Sequence, residues 1–235
     1  MATIRASTAF TSESATTLAV TLDAGSTVGD LMLLFVQKDD DPDVTHWDPT
    51  GWTAIWNFNS GGLGGRARRT QLWVRNFEAG DTGGNLTGDL ESWGCLLVTV
   101  EPATDTDLLV ANLIYDSTDS VDDASPLSPT VTTTRDNTRV LVAKQGTNGD
   151  TTGSAPAGTV RLSGSPAQGG SDNGASSDVA DFVQVTAGAT GTFEWTGGTA
   201  GQDSRTATIA LHETDTVTAS NRMGGTGAIR RPPRR

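Results

Sequence analysis

The sequence predicts an all-β protein, and three observations carry that prediction. Gly, Ser, Thr, Asp and Ala dominate its 235 residues, whereas lysine occurs only twice, at Lys38 and Lys144. That composition suits short strands joined by many turns and is poor in the Leu, Lys and Glu that build helical bundles. Apolar residues come in short runs with a period of two: Trp93, Cys95, Leu97 and Thr99 alternate with Gly94, Leu96, Val98 and Val100. Turn signals such as Asp23-Ala24-Gly25, Pro49-Thr50-Gly51, Ala79-Gly80-Asp81, Asn148-Gly149-Asp150 and Ala187-Gly188 separate the runs.

Along the chain the expected strands are Thr17–Leu22, Leu31–Lys38, Trp52–Phe58, Thr70–Phe77, Trp93–Val100 and Leu108–Leu113. The series continues with Thr130–Thr134, Thr138–Gln145, Val160–Leu162, Val179–Val185, Thr192–Thr196 and Arg205–His212. The run around Cys95 is apolar on both faces, which marks a strand covered on both sides. No stretch carries a helical period.

The chain also repeats itself. A shift of 108 residues lays Leu31–Gln37 (LMLLFVQ) over Arg139–Gln145 (RVLVAKQ), and Phe77–Thr82 over Val185–Thr190. A shift of 107 sets Pro49-Thr50-Gly51 on Pro156-Ala157-Gly158, and one of 112 sets Ser92–Glu101 on Ser204–Glu213. Four matches in the same order point to two related halves, about 16–114 and 128–214, within one unit spanning 1–220. Each half holds too few clean strands for a sandwich of its own. The expected architecture is therefore one jelly-roll-like β-sandwich with pseudo-duplicated halves. The acidic Tyr115–Ser128 would cross between them, and residues 221–235 would form an extended basic tail.

Charge is distributed unevenly. The chain has 28 Asp and Glu against 16 Lys and Arg, a net charge of −12. Five of the arginines lie in Asn221–Arg235, which has no acid, so residues 1–220 keep 11 basic side chains and a net charge of −17. An acidic body repels phosphates, which argues against nucleic acid as a partner. The first residues, MATIRASTAF, lack the basic start and apolar run of a secretory signal. The apolar run LMLLFV is too short to span a bilayer, so no membrane role is expected. The single cysteine, Cys95, allows no intrachain disulfide.

Catalytic patterns are absent from the sequence. There is no G-x-S-x-G, the only histidines are His46 and His212, and neither lysine follows a glycine-rich turn. The expectation is a protein that is not an enzyme and needs no cofactor. Three stretches remain as candidate sites. Asp39, Asp41 and Asp43, near His46 and Asp48, could supply oxygen ligands to Ca²⁺, but their spacing departs from an EF-hand and fits a solvated acidic turn better. Trp52, Ala54, Trp56 and Phe58 would share one strand face, with Trp47 nearby; exposed, such rings form a glycan platform, and buried, they fill a core. The tail offers Arg222, a short apolar anchor at Ile229, and Arg230, Arg231, Arg234 and Arg235 around two prolines that favour an extended backbone. Its guanidinium groups suit carboxylates on a partner.

The succession GDLMLLFV, PTGWT, LWVRNFEAGD, SWGCLLVTVEP, SPTVTTTRDNTRVLVAKQ, APAGTVRL and VTAGATGTFEWTG resembles a loosely defined group of bacteriophage proteins. These are minor virion, decoration and tail-associated proteins with β-sandwich domains. The resemblance covers roughly Val20 to Glu213 and does not extend to GAIRRPPRR. It implies a virion structural protein assembled in the host cytoplasm, foremost a capsid decoration or cement protein. Its implied partners are the major capsid protein or other virion proteins, and it implies homo-oligomers, trimers among them. The alternative is a receptor- or glycan-binding module associated with a tail fibre or knob. A secreted adhesive domain is disfavoured by the missing signal.

Overall fold

The computed structural model describes residues 1–39, 51–61, 67–104, 106–120, 123–147, 153–169, 175–196 and 204–215. It is an all-β sandwich of antiparallel sheets. Strands β1 (Thr3–Val20), β2 (Leu31–Asp39), β3 (Thr53–Gly61), β4 (Ala67–Asn76) and β5 (Gly84–Glu101) form the first sheet, in the order β1-β5-β2-β4-β3. A short pair follows, β6 (Thr106–Asp107), which later meets the end of the second half, and then a single 3-10 turn at Val110–Asn112.

The second sheet begins with β7 (Ile114–Ser120). Short strands β8 (Leu127–Ser128) and β9 (Thr132–Thr133) precede β10 (Thr138–Thr147), β11 (Val160–Arg161), β12 (Ala167–Gly169) and β13 (Ala175–Gln184). The described residues close with β14 (Gly188–Ala189), β15 (Phe193–Glu194), β16 (Ser204–Leu211) and β17 (Thr214–Asp215). The sheet order is β11-β13-β10-β16-β7, with β12 also on β13; β14 pairs β9, β15 pairs β8, and β17 pairs β6.

Each sheet is thus built from one continuous half of the chain, and the two sheets share one strand order. Matched by sequence shift, β7, β16, β10, β13 and β11 stand where β1, β5, β2, β4 and β3 stand. The partners agree as well: Leu33 faces Val98, and Leu141 faces Ile209. Those pairs require a shift of 108 for β2 on β10 and 111 for β5 on β16. The 112-residue match is therefore one residue out of register, a slip that would turn the strand's inner face outward. Strands that stay in one sheet also differ from a jelly roll, whose strands alternate between sheets. The segment expected to cross between halves is in part the edge strand β7, and Leu108–Leu113 is the 3-10 turn rather than a strand.

The sheets pack face to face: β13 lies over β5 and β2, β10 over β2 and β4, and β12 over β1 and β5. Their inner faces share one core, in which Leu33, Phe35, Leu72, Leu96 and Val98 meet Leu141, Val179, Ile209 and Leu211. The outer faces are apolar too. On the first sheet, Met32, Leu34, Val36, Trp73, Trp93, Cys95 and Leu97 form a second cluster. Register shifts at Ser12/Ala15 and Ala15/Thr17 bend the β1–β5 ribbon, whose far end adds Leu18, Val20 and Leu86 to that cluster. On the second sheet, Val142, Ala180 and the fully buried Trp195 are covered by segments around Ala155 and Phe193.

Cys95 sits within the second cluster, fully buried, and burial pushes its thiol well above the usual cysteine range. Because the thiolate is the reactive form, the native protein is expected to leave Cys95 unmodified by a thiol reagent such as DTNB. One equivalent should react in denaturant, and rapid native labelling would contradict this packing.

Candidate functional site

The aromatic row does not survive folding as a single face. A bulge at Ile55 breaks the β3–β4 register, so that Ala54 faces Trp73 while Trp56 faces Leu72. The extra residue reverses the alternation. Trp52 therefore packs, half-buried, on the outer cluster, with the Arg75 guanidinium 5.9 Å from its ring centroid. Trp56 points inward and joins the core between the sheets. Its ring centroid lies 6.4 Å from that of Phe35, and its Nε1 donates to Gln145 Oε1 at 3.1 Å. Phe58 is partly exposed beneath the Arg205 guanidinium, 4.3 Å from its centroid. Trp47 lies outside the described residues. A platform combining Trp52 and Trp56 is ruled out by this geometry.

For the acidic stretch, Asp39 ends β2 as the cross-strand neighbour of Arg68. Asp41 and Asp43 lie outside the described residues, as do Arg222, Ile229, Arg230, Arg231, Arg234 and Arg235. Among the described residues no cluster of three His, Cys, Asp or Glu could hold a metal ion. His212 Nε2 is 2.8 Å from Thr134 Oγ1 at the sandwich end.

The described arginines of the body are engaged internally. Arg5 Nε pairs with Asp30 Oδ2 at 2.8 Å, and this bond raises the already high arginine pKa. Arg75 pairs with Asp81 at 2.7 Å, Arg205 with Asp119 at 2.9 Å, and Arg139 with Asp181. Arg161 Nη2 holds Asp178 Oδ2 at 2.8 Å while Ser165 Oγ donates to the other oxygen at 2.6 Å. Burial pushes the Asp178 carboxyl upward, and Ser165 and Arg161 pull it back. Glu213 acts as a clamp, accepting hydrogen bonds from Ala2 N at 2.8 Å, Ala103 N at 2.5 Å and Thr106 Oγ1 at 2.9 Å. It ties the first strand, the connection between halves and the end of β16 together. Except for Arg75 and Asp81, the partners lie far apart along the chain, so nothing in the sequence signalled them.

One concave site opens on the outer side of the second sheet. Ser154 and Thr196 bridge the segments 154–157 and 192–196. Between those segments is a cavity of about 400 Å³, lined by Ala155, Pro156, Ala157, Thr192, Phe193, Glu194 and Thr196. Phe193 is held from behind by Phe182, with ring centroids 4.7 Å apart. Below it Trp195 is fixed by its Nε1 donating to Ser128 Oγ at 3.2 Å. Glu194 is exposed, and among the described residues no cation or hydrogen-bond donor reaches its carboxylate. The site offers an apolar, partly aromatic wall and one free negative charge. The alternation Phe193-Glu194-Trp195 was the sequence signal, but the facing segment 155–157 is supplied by the fold. Searches against protein-family models, curated proteins and solved structures match nothing to this chain.

Proposed function

We propose that this chain is a structural component of a bacteriophage particle, a decoration protein on the capsid that attaches through its basic C-terminal segment. The observation that carries this reading is the internal neutralisation of the body's arginines: Arg5, Arg75, Arg139, Arg161 and Arg205 each meet a carboxylate of the same body. Five further arginines, Arg222, Arg230, Arg231, Arg234 and Arg235, lie together in a segment that holds no acid, with Ile229 as an apolar anchor. A net charge of −17 over residues 1–220 faces solvent well and repels an acidic shell. The tail offsets that repulsion with several charge-assisted hydrogen bonds. Two sheets locked over one core provide a rigid body to display, and the sequence resemblance supplies the phage context.

Copies per particle test this reading. A decoration protein is expected to co-sediment with heads in hundreds of copies, whereas a small multiple set by tail symmetry would move the protein to the tail and end the proposal. On DNA-free shells, deleting Arg222–Arg235 is expected to abolish attachment. Attachment of the full chain should loosen as salt rises from about 0.05 to about 1 M, where the Debye length falls from roughly 14 to 3 Å.

A further inference from the structure

We propose that the cavity between segments 154–157 and 192–196 is a binding site for an arginine–proline peptide, and that its occupant in the free protein is the chain's own C-terminal segment, Ala228–Arg235. The inference does not depend on the virion role, because a monomer in solution suffices to test it.

Three features of the site select the ligand. The Glu194 carboxylate stands exposed at the cavity without a partner among the described residues, so a cation entering there exchanges water for a charge-assisted hydrogen bond without breaking an ion pair of the body. Phe193 and the buried Pro156 give an apolar wall that suits the methylene stem of an arginine and the flat face of its guanidinium. A volume of about 400 Å³ accommodates a side chain with part of its backbone rather than a whole folded element. Extended proline-containing peptides recur as ligands of aromatic-lined surfaces because their backbone loses little entropy on binding. An acidic ligand would be repelled by Glu194 and by the charge of the body.

The chain carries the complementary peptide in Ala228-Ile-Arg-Arg-Pro-Pro-Arg-Arg. Arg230 lies 15 residues after Asp215, the last residue of β17. That length spans about 20 Å as a random coil and up to about 50 Å when extended. The strand β10, 10 residues long, measures only about 33 Å. A ligand tethered at such a distance acts at millimolar effective concentration, which favours capture within the molecule over capture from a neighbour. Seated there, the segment would shield its arginines until a surface richer in carboxylates displaces it.

A disulfide trap tests the contact in the full chain. Ala157→Cys, on the cavity rim, is combined with Arg235→Cys, and the protein is equilibrated in glutathione redox buffer. Cys95 is buried and does not compete. The expected result is a cross-link within monomers, seen by mass spectrometry and non-reducing gels. Adding Glu194→Gln, or Arg230→Gln with Arg231→Gln, should lower the cross-linked fraction at equilibrium about threefold, as for loss of an ion pair at a solvent-exposed carboxylate. Absence of the cross-link, or a yield indifferent to these substitutions, would overturn the site. A cross-link between two chains would assign the cavity to a neighbouring copy and overturn capture within the molecule.

Discussion

Gly94→Ala is expected to remove about 3 kcal/mol of folding free energy, the upper end of the usual overpacking cost, and to lower the urea midpoint accordingly. Gly94 is a buried inner-face residue of β5, and an added methyl group would overlap the carbonyl oxygens of both Ala175 and Ala167. Those carbonyls belong to β13 and β12, which are paired with each other through Gly169 and Ala175. Neither can retreat without breaking that pairing, and Ser177 Oγ donates to Gly94 O at 2.7 Å, so β5 is held in place as well. A flexible side chain would yield, but two backbones do not. Gly80→Ala is the matching control: nothing lies near its added methyl group, and its φ of +91° alone sets the cost, about 1 kcal/mol. Equal losses at the two positions would mean that the sheets are not packed at Gly94 as described.

The strands most legible in the sequence are those covered on both faces. β2, β4 and β10 each lie inside a sheet, so their apolar residues recur without interruption and bounded by turns. The first half of β1 and the whole of β7, which sequence reading missed, are edges. Residues 3–12 of β1, TIRASTAFTS, carry few large apolar side chains, because an edge strand needs only partial cover. β7, IYDSTDS, reads as a loop because its aspartates blunt an exposed edge, and Asp119 there also pairs with Arg205. The candidate site was illegible for another reason. Phe193 and Glu194 are visible in sequence, but the Ala155–Ala157 wall comes from 36 or more residues earlier, and only the fold brings it opposite. Likewise, alternation along Trp52, Ala54, Trp56 and Phe58 continues unbroken in the sequence while the bulge at Ile55 breaks it in space. A single unpaired residue decides which tryptophan faces water, and hydrophobic periodicity carries no trace of it.

Trp56→Ala is accordingly expected to act on stability rather than on recognition. The side chain is only 7 % exposed and fills the space between β3 and the second sheet, next to Phe35. Truncating a buried tryptophan costs about 3–5 kcal/mol through lost transfer energy and the cavity left behind. The substitution also removes the donor to Gln145 Oε1, whose side chain is 1 % exposed and cannot turn to solvent. Its Nε2 is already committed to Val36 O at 2.9 Å and Gln71 O at 3.2 Å, so the amide cannot flip to recover a partner. An unsatisfied buried acceptor adds about 1–3 kcal/mol. Together these approach the whole stability of a typical domain, about 5–15 kcal/mol, and the variant should be largely unfolded at 37 °C. Trp56→Phe separates the two contributions: it keeps most of the volume, loses the donor, and should cost about 1–3 kcal/mol. Denaturant midpoints of the two variants, measured beside the native protein, check both magnitudes. If Trp56→Ala kept its midpoint and instead lost affinity for a host polysaccharide, the ring would belong to a surface platform after all, and the inward turn of β3 at Ile55 would be wrong.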